Sequence, residues 1–149
     1  MATGTKKRNP MRWRAVLTAA AVMLVLAACA GGVQVIPTGE QIPILGSGTH
    51  PGQWQSMDAE VRYRYTVDSQ SPDRIQVSGT ISPRSRLAEL KLTMAFLDGE
   101  GKVLESRLLY SSGYRQEQIG GTFEQTLDLP QDAEAFTFRS QSQAFRGYR

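Results

Sequence analysis

From Asp58 onward, apolar and polar residues alternate along the chain with a period of two. "VRYRYTV" places Val61, Tyr63, Tyr65 and Val67 on one side and Arg62, Arg64 and Thr66 on the other. That is the pattern of a strand with one buried face. After the turn signal "SPD", "RIQVSGTIS" repeats it, with Ile75, Val77 and Ile81 inward. Gly79, inside this run, marks a bulge or a close approach of a neighbouring segment. "TFEQTLDLP" alternates Phe123, Leu127 and Leu129 against Thr122, Glu124, Thr126 and Asp128, and "EAFTFRSQSQAF" sets Phe136 and Phe138 on one face.

"LAELKLTMAFLD" fits two periods. Ala88, Leu90, Leu92, Met94 and Phe96 alternate, while Leu87, Leu90, Met94 and Leu97 form a helical stripe, and intrinsic propensity favours helix. The next residues decide for a strand over 87–97: "DGEG" (98–101) is a hairpin turn signal, and "KVLESRLLY" continues extended. Six strands with short turns and one-sided burial predict an all-β fold, a small antiparallel β-sandwich.

Residues 29–56 lack this pattern. "AGGVQVIPTGEQIPILGSGTHPGQWQS" is rich in glycine and proline, and Pro37, Pro43 and Pro51 forbid regular helix. The stretch reads as a tether, with "VQVI" and "IPIL" as pieces able to dock as edge strands and Trp54 as the first packing residue. The expected organisation is a leader over 1–28, a tether over 29–56 and a domain over 57–149.

The leader has three parts. Lys6, Lys7, Arg8, Arg12 and Arg14 make a positive start with no acidic residue before position 29, and "AVLTAAAVMLVLAA" (15–28) is an apolar core. A permanent span needs roughly 20 apolar residues, so this shorter run suits a secretory signal. It ends in "LAAC", where Leu26, Ala27 and Ala28 lead into Cys29, the only cysteine of the chain. This sequence resembles the lipobox of bacterial lipoproteins. The resemblance implies cleavage between Ala28 and Cys29 and acylation of the Cys29 sulfur, a thiol being the nucleophile a thioether needs. It also implies residence in the cell envelope, on the periplasmic face of the outer membrane where the host has two membranes, since Ala30 and not Asp follows the cysteine.

The domain resembles the small immunoglobulin-like modules of the FxLYD type found in envelope proteins. The carrying residues are "IQVSGTI" (75–81), "LTMAFLDGEGKVL" (92–104) and "FEQTLDLP" (123–130). The family's aromatic beside the Asp is missing here, where Leu97 precedes Asp98. The resemblance implies an immunoglobulin-like sandwich; such motifs encode strands and turns more than function.

Charge changes meaning once the leader is set apart. The whole chain has 17 basic and 14 acidic residues, net +3. Five of the basic groups lie in residues 1–28, which leaves 12 against 14 and a net of −2 for residues 29–149. That is not the footprint of a nucleic-acid binder.

Candidate chemistry is sparse. His50 is the only histidine, between Thr49 and Pro51, and reads as a solvated loop residue with no cysteine co-ligand for zinc. "DGEGK" lacks the first glycine and the final Ser/Thr of a phosphate loop. Asp98 and Glu100 lack the spacing of a calcium loop. No metal or cofactor is expected. Arg62 and Arg64, joined by Arg139 and Arg146, are the candidates for a small basic binding surface. The expected function is a non-enzymatic binding or assembly module, held to a membrane through its lipid and contacting an envelope protein. The alternative is a small periplasmic enzyme or carbohydrate-binding domain.

Overall fold

The computed structural model describes residues 33–113 and 119–144, so Ala28, Cys29, Ala30 and Arg146 lie outside the described residues. Among the described residues eight strands run in this order: β1 (Ile42–Pro43), β2 (Gly48–Gln55), β3 (Ala59–Asp68), β4 (Ser71–Pro83), β5 (Leu87–Leu97), β6 (Val103–Ser111), β7 (Gly121–Asp128) and β8 (Ala135–Ala144). They form two four-stranded sheets, ordered β2-β3-β4-β7 and β1-β8-β5-β6, and every pairing is antiparallel. The fold is the expected small β-sandwich.

At the edge of the second sheet β8 is joined for two residues by β1, which arrives from the N-terminal side, with Ile42 opposite Phe136 and Pro43 opposite Ala135.

The alternating residues do what their spacing predicts. Val61, Tyr63, Tyr65 and Val67 are buried and meet Ile75, Val77, Ile81 and Phe123 from their own sheet. From the other sheet come Leu90, Leu92, Met94, Phe96, Phe136 and Phe138. At the centre, Phe136 stands edge-on to Tyr63, Tyr65 and Phe138 at centroid distances of 6.0, 5.3 and 5.5 Å, the arrangement aromatic quadrupoles favour. The Tyr65 hydroxyl is buried without penalty: it donates to the Pro43 carbonyl (2.9 Å) and accepts from the Leu45 amide (3.2 Å). One side of the sandwich is thereby sewn to the β1–β2 connection. On the other side Gln125 donates to the Leu108 and Leu109 carbonyls of β6, both at 3.1 Å.

The tether reading is corrected for residues 34–56, where the docking of "VQVI" and "IPIL" and the packing of Trp54 hold; residues 29–32 lie outside the described residues. Residues 34–41 form a strap across the outer face of the β1-β8-β5-β6 sheet. Val35 bridges Lys102, the Ile36 amide donates to the Gly101 carbonyl (2.8 Å), and the Ile36 side chain packs on Leu97, Ala135 and Val103. A 3₁₀ turn at Thr38–Glu40 leads into β1. Strand β2 then pairs with β3 along its whole length, and Trp54 packs against Phe138 at 5.9 Å. The compact unit begins at Gln34 and not at residue 57.

"LAELKLTMAFL" is the strand β5, central between β6 and β8. The turn after it is held by Asp98, whose Oδ1 accepts from the amides of Glu100 (3.0 Å) and Lys102 (2.9 Å), with Gly101 at φ 79°. At Gly79 the strand pairing runs without a bulge, and the alternative expectation, a close approach, applies. A Cβ there would stand 2.8 Å from the Phe123 ring and against the Arg62 carbonyl.

Candidate functional site

The outer face of the β2-β3-β4-β7 sheet is built from the polar half of each alternation. Across neighbouring strands its rows run Gln53–Arg62–Thr80–Thr122, Pro51–Arg64–Ser78–Glu124 and Thr49–Thr66–Gln76–Thr126. Among the described residues, no large exposed apolar side chain interrupts them. A shallow depression of about 460 Å³ lies over the middle rows, bordered by Pro51, Arg62 and Arg64 on one side and Thr122 and Glu124 on the other. A second, of about 630 Å³, lies toward the β3–β4 turn, between Thr66, Asp68, Arg74 and Gln76.

The structure thus brings Arg62 and Arg64 together on one face, as their spacing predicts, but gives them different surroundings. Arg62 Nε pairs with Glu60 Oε1 at 3.2 Å, and Gln53 donates to the same oxygen at 2.9 Å. Arg74 pairs with Asp128 at 3.0 Å, and Gln76 donates to Glu124 at 2.9 Å. Arg64 has no ion pair among the described residues; Pro51 and Ser78, its cross-strand neighbours, carry no charge. Of the two arginines in the central rows, it is the one whose charge is not already shared with a carboxylate.

Arg139 does not join this surface. It projects from β8 on the opposite sheet and donates to Gln34 Oε1 at 2.8 Å. Ser78, Thr80, Thr122 and Glu124 complete the depression and were not singled out by sequence reasoning. Their signal was the outward half of the same alternation.

His50 is half-buried in a strand and does not lie in a loop. It lies in β2 with its ring 5.0 Å from that of Tyr65, and its Nε2 is 3.0 Å from the Gly46 carbonyl oxygen. A carbonyl only accepts, so Nε2 carries the proton. Among the described residues, no three of His, Cys, Asp and Glu gather as metal ligands. Two phenols depart from their ordinary acidity. Burial, and then the neighbouring Tyr65, push Tyr63 above 10.0, and burial does the same to Tyr110, whose hydroxyl donates to the Ile119 carbonyl at 2.8 Å.

Neither a family model nor a curated protein matches the chain. Among solved structures it is similar to the RGD-containing host-selective toxin Ptr ToxA of Pyrenophora tritici-repentis, at 20% identity over 69% of this chain and 94% of that one. The TM-score is 0.31, a likeness too slight to bear on what this chain does.

Proposed function

We propose that the chain is an envelope lipoprotein, anchored through an acylated Cys29, whose sandwich is a non-enzymatic binding module. Its binding face is the outer side of β2-β3-β4-β7. The observation that carries the reading is Arg64, a guanidinium with no ion pair among the described residues, in the middle row of a polar sheet face beside a depression of about 460 Å³. A guanidinium so placed offers several N–H donors to a carboxylate without first breaking an internal pair. The neighbouring Ser78, Thr80 and Thr122 hydroxyls both donate and accept, which suits the polar rim of a protein contact. The partner is therefore an envelope protein presenting an acidic group. A lipid tether raises the concentration of such a module at a surface, which helps a weak site most. The anchor requires more than one acyl chain, because a single chain binds only marginally.

The test is a photo-crosslinking residue at Ser78 in the native envelope, with the captured protein identified by mass. Capture of one defined protein from Ser78, weakened by Arg64→Glu in a chain that remains folded and lipidated, supports the reading. Capture that is indifferent to Arg64→Glu rejects the face as the site.

A further inference from the structure

The geometry points to a fixed pose at the membrane: the β6 side of the β1-β8-β5-β6 sheet rests on the bilayer surface, and the Arg64 face looks away from it. This rests on the reading of Cys29 as the acylated residue and adds which side of the sandwich the lipid holds down.

Chain length sets the first constraint. With residues 29–56 as a tether the domain would have been free to tumble, but the strap is fixed from Gln34 onward. The Gln34 carbonyl accepts from the Val103 amide at 3.1 Å, and its side chain accepts from Arg139. Four residues, and so five Cα-to-Cα steps, therefore separate Cys29 from a fixed point, a reach of at most about 17 Å when fully extended. Gln34 lies against the start of β6 and over the outer face of its sheet. The two sheets of a sandwich stand about 10 Å apart before side chains are added on both outer faces. A path from Gln34 around the edge to the Arg64 face exceeds what those five steps can cover.

The surface chemistry selects the same side. Val35 on the strap and Leu104 and Leu108 on β6 are 58%, 37% and 54% exposed. Leu45 and Met57 are exposed in connections between strands, and among the described residues the outer face of β2-β3-β4-β7 has no large exposed apolar side chain. Leu108 stands opposite Thr93, in a row facing out of the sheet. Among residues 29–149 the only lysines are Lys91 and Lys102. Both sit on this side: Lys91 is in β5, which pairs with β6, and Lys102 bridges the strap. Arg107 is on β6 itself, but it pairs with Glu105 at 2.5 Å, as Lys91 does with Glu89 at 2.9 Å, whereas Lys102 has no ion pair among the described residues. Val35, Leu104 and Leu108 make a small apolar surface for shallow contact with an acyl–headgroup boundary, with Lys102 as the unshared cation beside them.

The experiment takes the mature chain, Cys29 to Arg149, into vesicles of phosphatidylethanolamine and phosphatidylglycerol. Leu108→Trp and Thr80→Trp report the two faces against the background of Trp54, and brominated phospholipid is the quencher. The expected result is that Leu108→Trp loses most of its added emission while Thr80→Trp keeps its own. Equal quenching of the two, or stronger quenching of Thr80→Trp, overturns the pose. The mass of the N-terminal peptide from the same sample reads acylation separately. If Cys29 is unmodified, a maleimide phospholipid coupled to this single thiol supplies the anchor, so the pose is decided even where the acylation reading fails.

Discussion

Gly101→Ala shows most sharply whether the strap belongs to the domain. Gly101 has φ 79°, a conformation that costs a residue with a side chain about 1–3 kcal/mol. Its added Cβ would come within 2.6 Å of the Ile36 carbonyl oxygen and against the Gln41 amide. The Gln41 side chain can swing aside; the Ile36 carbonyl is backbone and can yield only if the strap moves. Movement endangers the Ile36 N–H to Gly101 bond and the Gln41 Nε2 to Ile36 bond, 2.8 and 2.7 Å. Each contributes about 0.5–1.5 kcal/mol. It also loosens the buried Ile36 side chain from Leu97 and Ala135, a contact in which full burial of an isoleucine stabilises by about 1.5–3 kcal/mol. These contributions overlap, and partial retention of the strap makes about 2–4 kcal/mol the expected loss. Chemical denaturation should report that loss, and amide exchange should show Ile36 losing protection while the Tyr65 amide, deep in β3, keeps its own. A Gly101→Ala protein with wild-type stability and a protected Ile36 amide would show that the strap is not part of the folded unit.

Four further outcomes are expected. Phe136→Ala removes a fully buried ring that touches three others and should cost about 3–5 kcal/mol, read as a shift in denaturation midpoint without a change in slope. Because Tyr63 and Tyr110 ionise less readily folded than unfolded, stability should hold up to the ordinary phenol pKa of 10.0 and fall as pH rises through their raised values. Thermal melts at a series of alkaline pH values check this, and Tyr63→Phe should flatten the fall. Arg64→Glu should slow association with an acidic partner and reduce its salt dependence while leaving the melting temperature within a degree or so; an unchanged on-rate would count against the face. Cys29→Ser should abolish labelling by radioactive fatty acid and leave the precursor uncut, and equal labelling of both proteins would remove the lipobox reading.

The strands that were legible in the sequence are those with one wet face. Tyr63 and Tyr65 alternate with Arg62 and Arg64 because water lies on one side of β3 and the core on the other. Strand β5 was ambiguous for a physical reason. At its end Ala95, Phe96 and Leu97 are all fully buried, since the interior takes Phe96 while the second face is dry around Leu97, where the strap lies. A strand dry on both faces loses its period of two and imitates a helical stripe. Strand β2 was missed because its inward positions are Gly48, His50, Gly52 and Trp54, half of them without side chains. The space over Gly52 is filled by the Tyr63 ring, against which a Cβ would collide. The apolar volume exists, but the adjacent strand supplies it. Phe123 over Gly79 is the same device. The proposed binding face was half legible: the alternation put Arg62 and Arg64 on it, but only the structure showed that Arg62 shares its charge with Glu60 and that Arg64 has no ion pair among the described residues.

The lipoprotein reading turns on a lipid on the single thiol of the chain, a few residues before the strap. The intact mass of the N-terminal peptide, taken from protein purified out of the envelope, decides it. The expected peptide begins at Cys29 and carries diacylglycerol on sulfur. A chain that begins elsewhere, or at Cys29 with a free thiol, would overturn the lipoprotein reading.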